Sequence, residues 1–450
     1  MQLMNRIHAK LGDLWWYTIL LFCAQRFGDV INMFVGLWIV PKYVPMKELG
    51  AVMPLTNIVS VIGIPLTIIA IPFLKFVAVF AEKKEFGKVK ALIRDTFIGT
   101  GIFALLTILI AYFILPLFFE RLRVENGSLA FLLVAITILT AVSSITLNAV
   151  SALKMFAQTV WYSAIAAPLR LVLMIVLTPF RPLSGYIVGG AAMPSINIIG
   201  PFFALRKFFK SDIKAEPYWK EYGRDILKYT WPLIIMTIIT AISGNIDTLV
   251  IRHRLSEFES AGYYIITRFS DIAQQLGSVF IAFLMPLLAG KNGHDAESKK
   301  LIIHSSAGIL SIGLLFSIFL MISGERLLSF KGEWQPFAPF APQMAGFCTA
   351  GTLAISANCA TTAFMARSKF SFLWYYLPIM IGFGLFRYAA TGYTFFEGLL
   401  PNRIINFIAE NNPCRLSFIM WTMIVGNAIN LICLLCHALR RTDKSPSDSE

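Results

Sequence analysis

The sequence predicts an all-α polytopic membrane protein with about 12 transmembrane helices in two six-helix lobes. The first reason is composition: of 450 residues, 57% are hydrophobic and 14% are charged, and the mean hydropathy is +0.70. A soluble chain of this length could not bury so much apolar surface in a core. The second reason is the layout of the apolar blocks, because each half of the chain holds about six that reach the roughly 20 residues a membrane-spanning helix needs.

The predicted spans follow one another along the chain with mostly short polar connections. They are Leu14–Val40, Leu49–Phe80, Thr96–Phe119, Leu129–Ala149, Gln158–Thr178, Leu183–Leu205, Trp231–Ile251, Ala261–Leu288, Leu301–Ile322, Ala341–Met365, Phe372–Ala390 and Leu416–Leu439. The first block is too long for the core of a signal peptide and lacks a small-residue cleavage site, so we expect it to be retained. An even number of spans places both termini on the same side of the membrane.

Lysine and arginine predict which side that is. Both termini and every second connection are rich in these residues, as in the segment from Lys83 to Arg94. By the positive-inside rule this side is cytoplasmic, so both termini are predicted to be cytoplasmic. The net charge of +14 is then mostly a consequence of topology. Nucleic acid is not a predicted partner, because the charge is scattered between spans and forms no single patch.

Several landmarks recur about 212 residues apart and predict that the two halves are repeats. Glu48–Gly50, at the end of the first outer connection, corresponds to Ser260–Gly262, and Pro72 corresponds to Pro286. Because six helices separate the copies, both have the same orientation and are related by an axis along the membrane normal. Such repeats form two lobes around a cavity, and rocking of the lobes opens that cavity to each side in turn.

The repeat divides the chain into four predicted parts. They are an N-terminal lobe (1–206), a cytoplasmic amphipathic linker (207–229), a C-terminal lobe (230–440) and a cytoplasmic tail (441–450). The linker mixes aromatic with basic residues, a composition typical of a segment at the level of the lipid headgroups. Membrane lipids are therefore predicted partners of the linker.

Polar side chains inside the spans are costly in lipid, so they indicate either function or pairing. Arg26, Asp29 and Asn32 follow each other at i,i+3 spacing and share one face of the first helix. Similar polar sets occur on the seventh and eighth helices, and the fifth helix carries one arginine. The predicted lining of a central substrate cavity is Arg26, Arg170, Arg268, Asn32, Asn245 and Gln275, and the candidates for ion coupling or charge pairing are Asp29, Asp247 and Asp271.

Simpler interpretations of these charges stay open. Arg26 with Asp29, and Arg268 with Asp271, could form intrahelical ion pairs that only fix packing. Asp247 and Arg387 lie near span ends and could extend to the headgroups. Enzymatic motifs are absent from the sequence, which has no Walker A loop, no GxSxG and no HExxH. We therefore predict a transporter with no catalytic residue, no metal and no cofactor, for which Na⁺ or H⁺ are the candidate coupling ions.

Short segments along nearly the whole chain resemble the multidrug/oligosaccharidyl-lipid/polysaccharide (MOP) exporter superfamily. In it they are most similar to the polysaccharide-biosynthesis, or O-antigen (Wzx-type), flippases. The segments that carry the resemblance are Pro41–Ala51, Glu257–Tyr264 with its terminal Gly-Tyr-Tyr, His294–Lys300, Gly324–Trp334 and Ala363–Lys369. The resemblance implies the MATE-like fold of this superfamily, and it departs from the family pattern in the long connection 391–415, which is either a lid or an outer amphipathic helix.

The resemblance also implies a function. A Wzx-type flippase carries an undecaprenyl-pyrophosphate-linked oligosaccharide across the bacterial cytoplasmic (inner) membrane for the biosynthesis of surface polysaccharide such as lipopolysaccharide. Its partners would be this lipid-linked substrate and polysaccharide-assembly proteins. Arg26, Arg170 and Arg268 would then meet the pyrophosphate, since arginine binds phosphate bidentately.

Two other functions stay open. An ion-coupled multidrug (MATE-type) antiporter would use Asp29 or Asp247 as its cation site. A membrane glycosyltransferase or ligase would form a covalent product from a lipid-linked donor, which a flippase does not.

Overall fold

A computed structural model describes residues 20, 23–24, 26–119, 128–153, 155–210, 213–289, 295–366, 370–390 and 415–439. Within these ranges the chain is helical and contains no strand, as the sequence predicts. Seven of the described helices are long and apolar enough to cross a membrane: Phe86–Phe118, Ser128–Ala152, Val160–Phe180, Pro182–Arg206, Trp219–His253, Lys299–Ser329 and Leu416–Leu439. The chain is therefore a multi-pass membrane protein.

The first helix, α1, comprises residues 26–34, a π turn at Val35–Ile39 and a final turn at Val40–Tyr43. The second predicted span is divided into three helices, α2 (Met46–Ile62), α3 (Ile64–Ile68) and α4 (Ala70–Glu82). Pro65 and Pro72 cause the breaks, because a proline has no N–H to donate to the carbonyl four residues earlier.

Most of the remaining helices cover a predicted span and extend beyond it. The sixth predicted span, however, is divided at Ala191 into two helices, and the helix of the eleventh span starts one residue later than predicted. The remaining helices are α5 (Phe86–Phe119), α6 (Ser128–Ala152), α7 (Phe156–Phe180), α8 (Pro182–Gly190), α9 (Ala192–Phe209), α10 (Trp219–Arg254), α11 (Glu257–Ala289), α12 (Asp295–Ser329), α13 (Ala341–Ala366), α14 (Leu373–Ala390) and α15 (Arg415–Leu439), with a 3₁₀ helix at Gln335–Phe340. A capping box starts α11: the Glu259 carboxylate accepts from the Ser256 N–H at 2.9 Å, and the Ser256 hydroxyl accepts from the Glu259 N–H at 3.1 Å.

The chain divides into two compact units, unit 1 (Met1–Ala261) and unit 2 (Gly262–Glu450). All of α10 belongs to unit 1, and the division falls inside α11. The predicted lobe limits at residues 206 and 230 come from the sequence repeat, and they stay a prediction. Of the predicted linker 207–229, the part from Trp219 onward forms the first turns of α10.

Two apolar clusters form the core of unit 1. One joins α2 to α5 and α6 around Leu55, Val59 and Leu115. The other joins α4, α5, α6 and α9 around Phe80, Ile145 and other buried residues, and it includes Tyr218 just before α10. Each helix thus buries its apolar side against its neighbours and leaves other apolar residues for the lipid.

Lysines concentrate at one end of unit 1, called here the basic end, which the sequence predicts to be cytoplasmic. There the Lys83 ammonium donates to the Tyr222 hydroxyl at 2.9 Å, and Lys88 forms a 2.6 Å ion pair with Glu221. The hydrogen bond with Tyr222 raises the pKa of Lys83. Burial, reinforced by the nearby Asp95 carboxylate, raises the pKa of Tyr218 to about 12, so both groups keep their protons at neutral pH. These contacts hold the start of α10 against the α4–α5 connection.

Small residues dominate the packing of unit 2. Helix α13 lies against both α12 and α15. Gly313 of α12 lies against Thr352, and Gly346 of α13 lies against Met420 of α15. Glycines at these positions let helix backbones approach closely, as expected where packing and not water exclusion drives helix association.

Candidate functional site

Helix α1 carries the first predicted polar set. The Arg26 guanidinium and the Asp29 carboxylate form a 3.0 Å ion pair, as their i,i+3 spacing predicts. About a quarter of each side chain remains exposed, 26% for Arg26 and 28% for Asp29. Asn32 is half-buried one turn further along the helix. Part of the surface of this ion pair is therefore accessible, so the pair is not fully enclosed in the protein core.

Helix α7 places Arg170 near this set. A Cβ at Gly28 would lie 3.6 Å from the Cβ of Ala167, so α1 and α7 approach closely at this point. Arg26 is two residues from this contact on α1, and Arg170 is three residues from it on α7. Arg170 is half-buried. Two of the three predicted cavity arginines thus lie on adjacent helices of unit 1.

The polar set of α10 faces α2. The Asn57 amide of α2 donates to the Thr248 hydroxyl at 2.6 Å, and the Asn245 amide donates to the Ala241 carbonyl of its own helix at 2.6 Å. Asp247 is only 2% exposed. Its carboxylate is therefore buried in the protein and does not extend to the headgroups, and the same holds for Arg387 of α14, which is also buried.

In unit 2, α11 repeats the pairing seen on α1. Arg268 and Asp271 form a 3.0 Å ion pair at i,i+3 spacing, with 28% and 30% of their side chains exposed. The Arg268 guanidinium also lies 4.9 Å from the centroid of the Tyr264 ring, within range of a cation–π contact. Gln275 is half-buried one turn beyond Asp271. An accessible, aromatic-supported guanidinium of this kind can bind an anion.

Arg252 is a buried polar residue that the sequence reasoning missed. It is only 1% exposed at the end of α10, next to Gly50 of α2. The Ser260 hydroxyl donates to the Gly50 carbonyl at 3.0 Å in the same place. We use the name α2–α10 junction for the contact of Gly50 and Asn57 of α2 with Thr248 and Arg252 of α10, together with the adjacent Ser260 of α11. The predicted seventh span ended at Ile251, one residue too early to include this arginine, although its i,i+4 spacing from Thr248 extends the same polar face.

The predicted site residues are divided between the two units. Unit 1 contains Arg26, Asp29, Asn32, Arg170, Asn245 and Asp247, and unit 2 contains Arg268, Asp271 and Gln275. A single cavity that collects them stays a prediction. The long connection after α14 lies outside the described residues from 391 to 414.

No protein-family model matches this sequence, and no curated protein matches it. Solved structures, however, share its fold. A multidrug resistance MATE family transporter of the MOP superfamily, in an inward-facing conformation, aligns with a TM-score of 0.70 at 12% identity, over 94% of this chain and 97% of that one. The lipid II flippase MurJ, in an inward closed conformation, aligns with a TM-score of 0.61 at 14% identity, over 94% and 88%.

A third structure is a MOP superfamily transporter from Pyrococcus furiosus, whose binding pocket is described as having a reverse polarity that suggests a different function. It aligns with a TM-score of 0.61 at 13% identity, over 96% of both chains. The chain has the MATE-like fold of MOP transporters. This confirms the predicted fold class. At these sequence identities the structural similarity shows only a shared fold. The relationship to Wzx-type flippases stays a prediction.

Proposed function

We propose that this protein is a flippase that moves a polyprenyl-pyrophosphate-linked oligosaccharide across the cytoplasmic membrane by alternating access. The observation that carries the proposal is that two arginines on membrane helices keep part of their side chains accessible. Arg26 and Arg268 each keep about a quarter of their side chains exposed beside an aspartate, and Arg170 is half-buried near the first pair. A pyrophosphate is a strong anion that guanidinium groups bind bidentately. The shared fold with a lipid II flippase supports a lipid-linked substrate.

A second candidate is an ion-coupled multidrug antiporter. The likeness to the MATE family transporter and the buried Asp247 carboxylate favour it. Such an antiporter binds a cationic drug and couples to Na⁺ or H⁺ through a carboxylate inside the membrane. The two candidates therefore require different residues: the arginines for the flippase and Asp247 for the antiporter.

The deciding experiment is complementation of bacterial strains that each lack a lipid-linked oligosaccharide flippase. We expect the wild-type chain to restore surface polysaccharide in at least one strain. Arg26→Ala, Arg170→Ala and Arg268→Ala should each lower the restored amount about tenfold or more, since a hydrogen bond to a charged group contributes about 1.5–3 kcal/mol. Arg181→Ala is the matched control, because Arg181 is exposed in the turn between α7 and α8.

Equal protein levels in the membrane must be verified for every variant. Full activity of all three arginine variants would contradict the proposed role of these residues. Drug resistance conferred by the wild type and lost in Asp247→Asn, without restored polysaccharide in any strain, would establish the antiporter instead. A new covalent glycoconjugate formed by the purified protein from a lipid-linked donor would identify a transferase or ligase.

A further inference from the structure

A groove separates α5 from α9 at the basic end of unit 1. Its lining is almost entirely apolar, and its volume is about 320 Å³. Two cationic residues, called here the cations of the rim, contribute the apolar stems of their side chains to this lining. The lining residues are Phe97 of α5 with Phe202, Leu205, Arg206 and Phe209 of α9, and Lys210, which caps α9. This volume is at the lower end of the about 300–1,000 Å³ of small-molecule sites. The groove is therefore large enough for part of a hydrocarbon chain and too small for an oligosaccharide.

The two cations of the rim are placed to share one anion. Arg206 and Lys210 stand four residues apart, so their side chains project from the same side of α9. Both are exposed, and the structure records no ion pair for either of them among the residues it describes. Two cations on successive turns can contact the oxygens of a single phosphate group.

The C-terminal end of a helix normally repels an anion, because its last backbone carbonyls carry a partial negative charge. Here Lys90 of α5 offsets that charge: its ammonium donates to the Phe209 carbonyl and to the Ile213 carbonyl, both at 2.9 Å. Lys90 thus neutralises the end of α9 and leaves the cations of the rim to attract a ligand.

Exposed apolar residues lie beside the groove, as expected of a surface that faces lipid. Ile98, Ile102 and Leu105 continue along α5 as exposed apolar residues, and Phe203 is exposed beside the groove on α9. A hydrocarbon chain that enters the groove can therefore extend along this surface toward the middle of the membrane. The cations lie at the end of the helices, where the positive-inside rule predicts the cytoplasmic headgroup region.

From this arrangement we propose that the α5–α9 groove binds an anionic glycerophospholipid, with its phosphate held by Arg206 and Lys210 and one acyl chain in the groove. Basic pockets between membrane helices on the cytoplasmic side are typical sites for anionic headgroups. This site is separate from the arginines proposed to meet the substrate, so it does not depend on the proposed function.

The test is a lipid titration of the full-length purified chain in detergent, followed by native mass spectrometry. We expect phosphatidylglycerol to be retained and zwitterionic phosphatidylcholine to be lost at the same concentration. Arg206→Ala/Lys210→Ala should weaken the retention of phosphatidylglycerol about 30-fold, since each cation near a lipid surface contributes about fivefold. The control is Arg181→Ala/Lys300→Ala, which removes the same two residue types from exposed positions outside the linker 207–229.

Two competitors separate the sources of the phosphate. Glycerol 1-phosphate, which has no acyl chain, should not displace the phospholipid, and undecaprenyl phosphate should displace it only at higher concentration. Equal retention by the groove variant and the control variant would overturn the proposal, as would displacement by glycerol 1-phosphate. Displacement by undecaprenyl phosphate at equal or lower concentration would assign the groove to the transported lipid and overturn it too. Monodisperse elution of both double variants confirms that they are folded.

Discussion

Arginines occupy two very different kinds of place in this protein. Arg26 and Arg268 each pair with an aspartate three residues later and keep about a quarter of their side chains exposed. Arg252, in the α2–α10 junction, is 1% exposed and lies against Gly50. A guanidinium inside a membrane protein can therefore either line an accessible surface or form part of a closed joint between helices.

The difference arises from the neighbours and not from the arginine itself. At the junction a glycine on α2 leaves room for the Arg252 and Ser260 side chains, and the Ser260 hydroxyl reaches the Gly50 carbonyl. Around Arg26, by contrast, Phe27 and Val30 are exposed apolar residues. We infer that the junction maintains structure and that the two Arg–Asp pairs are available for function. The following changes test this division.

The largest effect should come from filling the junction. In Gly50→Val, the new Cβ would lie 2.8 Å from the Ser260 hydroxyl oxygen, which is too close, and 3.1 Å from a terminal Arg252 nitrogen, which is a tight contact. Overpacking of this kind costs about 1–3 kcal/mol. We expect a lower midpoint of thermal unfolding in detergent, measured by the loss of the monodisperse chromatographic peak.

Gly101→Val on α5 is the control for this change. It introduces the same side chain into a helix, but no atom lies within 4 Å of the added Cβ. Both variants share the same small gain in helix propensity, so the difference between them isolates the packing at the junction. A Gly50→Val protein as stable as Gly101→Val would show that the junction is not closed.

The second prediction exchanges the charges of a pair. Asp271→Asn alone should cost roughly 1 kcal/mol of stability, because the asparagine amide oxygen can still accept a hydrogen bond from Arg268. The double variant Arg268→Asp/Asp271→Arg restores an ion pair at the same spacing, with the acidic residue now N-terminal, the favourable order on a helix. We expect it to recover the thermal stability but not the transport activity in the complementation assay. Recovered transport would mean that the pair only fixes packing.

The fold was more predictable from the sequence than the roles of the α2–α10 junction and of the two Arg–Asp pairs. The apolar blocks predicted the helices because a membrane span must satisfy its backbone hydrogen bonds internally over about 20 residues. The helix ends were less predictable, since hydropathy does not detect polar helical extensions such as the first turns of α5 and α10. The division of the second span into three followed from Pro65 and Pro72, whose effect depends on local backbone geometry.

The Arg–Asp pairs were predictable because their partners lie three residues apart on one helix. The burial of Arg252 was not, because it depends on Gly50, about 200 residues away in the sequence and adjacent only after folding. The same applies to the α5–α9 groove, whose cations are near each other in sequence while Phe97 comes from another helix. Local spacing therefore predicts contacts within a helix, and the closed or open character of a site emerges only from packing.

The smallest predicted effect concerns the hydrogen bond that crosses the junction. Asn57 donates to Thr248 at 2.6 Å, and hydrogen bonds between membrane helices have an average coupling of about 0.6 kcal/mol in double-mutant cycles. A cycle of Asn57→Ala and Thr248→Val, measured by thermal unfolding in detergent, should give a coupling energy near this value. The reference cycle combines Asn57→Ala with Thr100→Val, because the Thr100 hydroxyl donates to the Thr96 carbonyl of its own helix. A coupling as small as that of the reference cycle would mean that this hydrogen bond does not stabilise the junction, which would then be held by the contacts of Arg252 and Ser260 around Gly50.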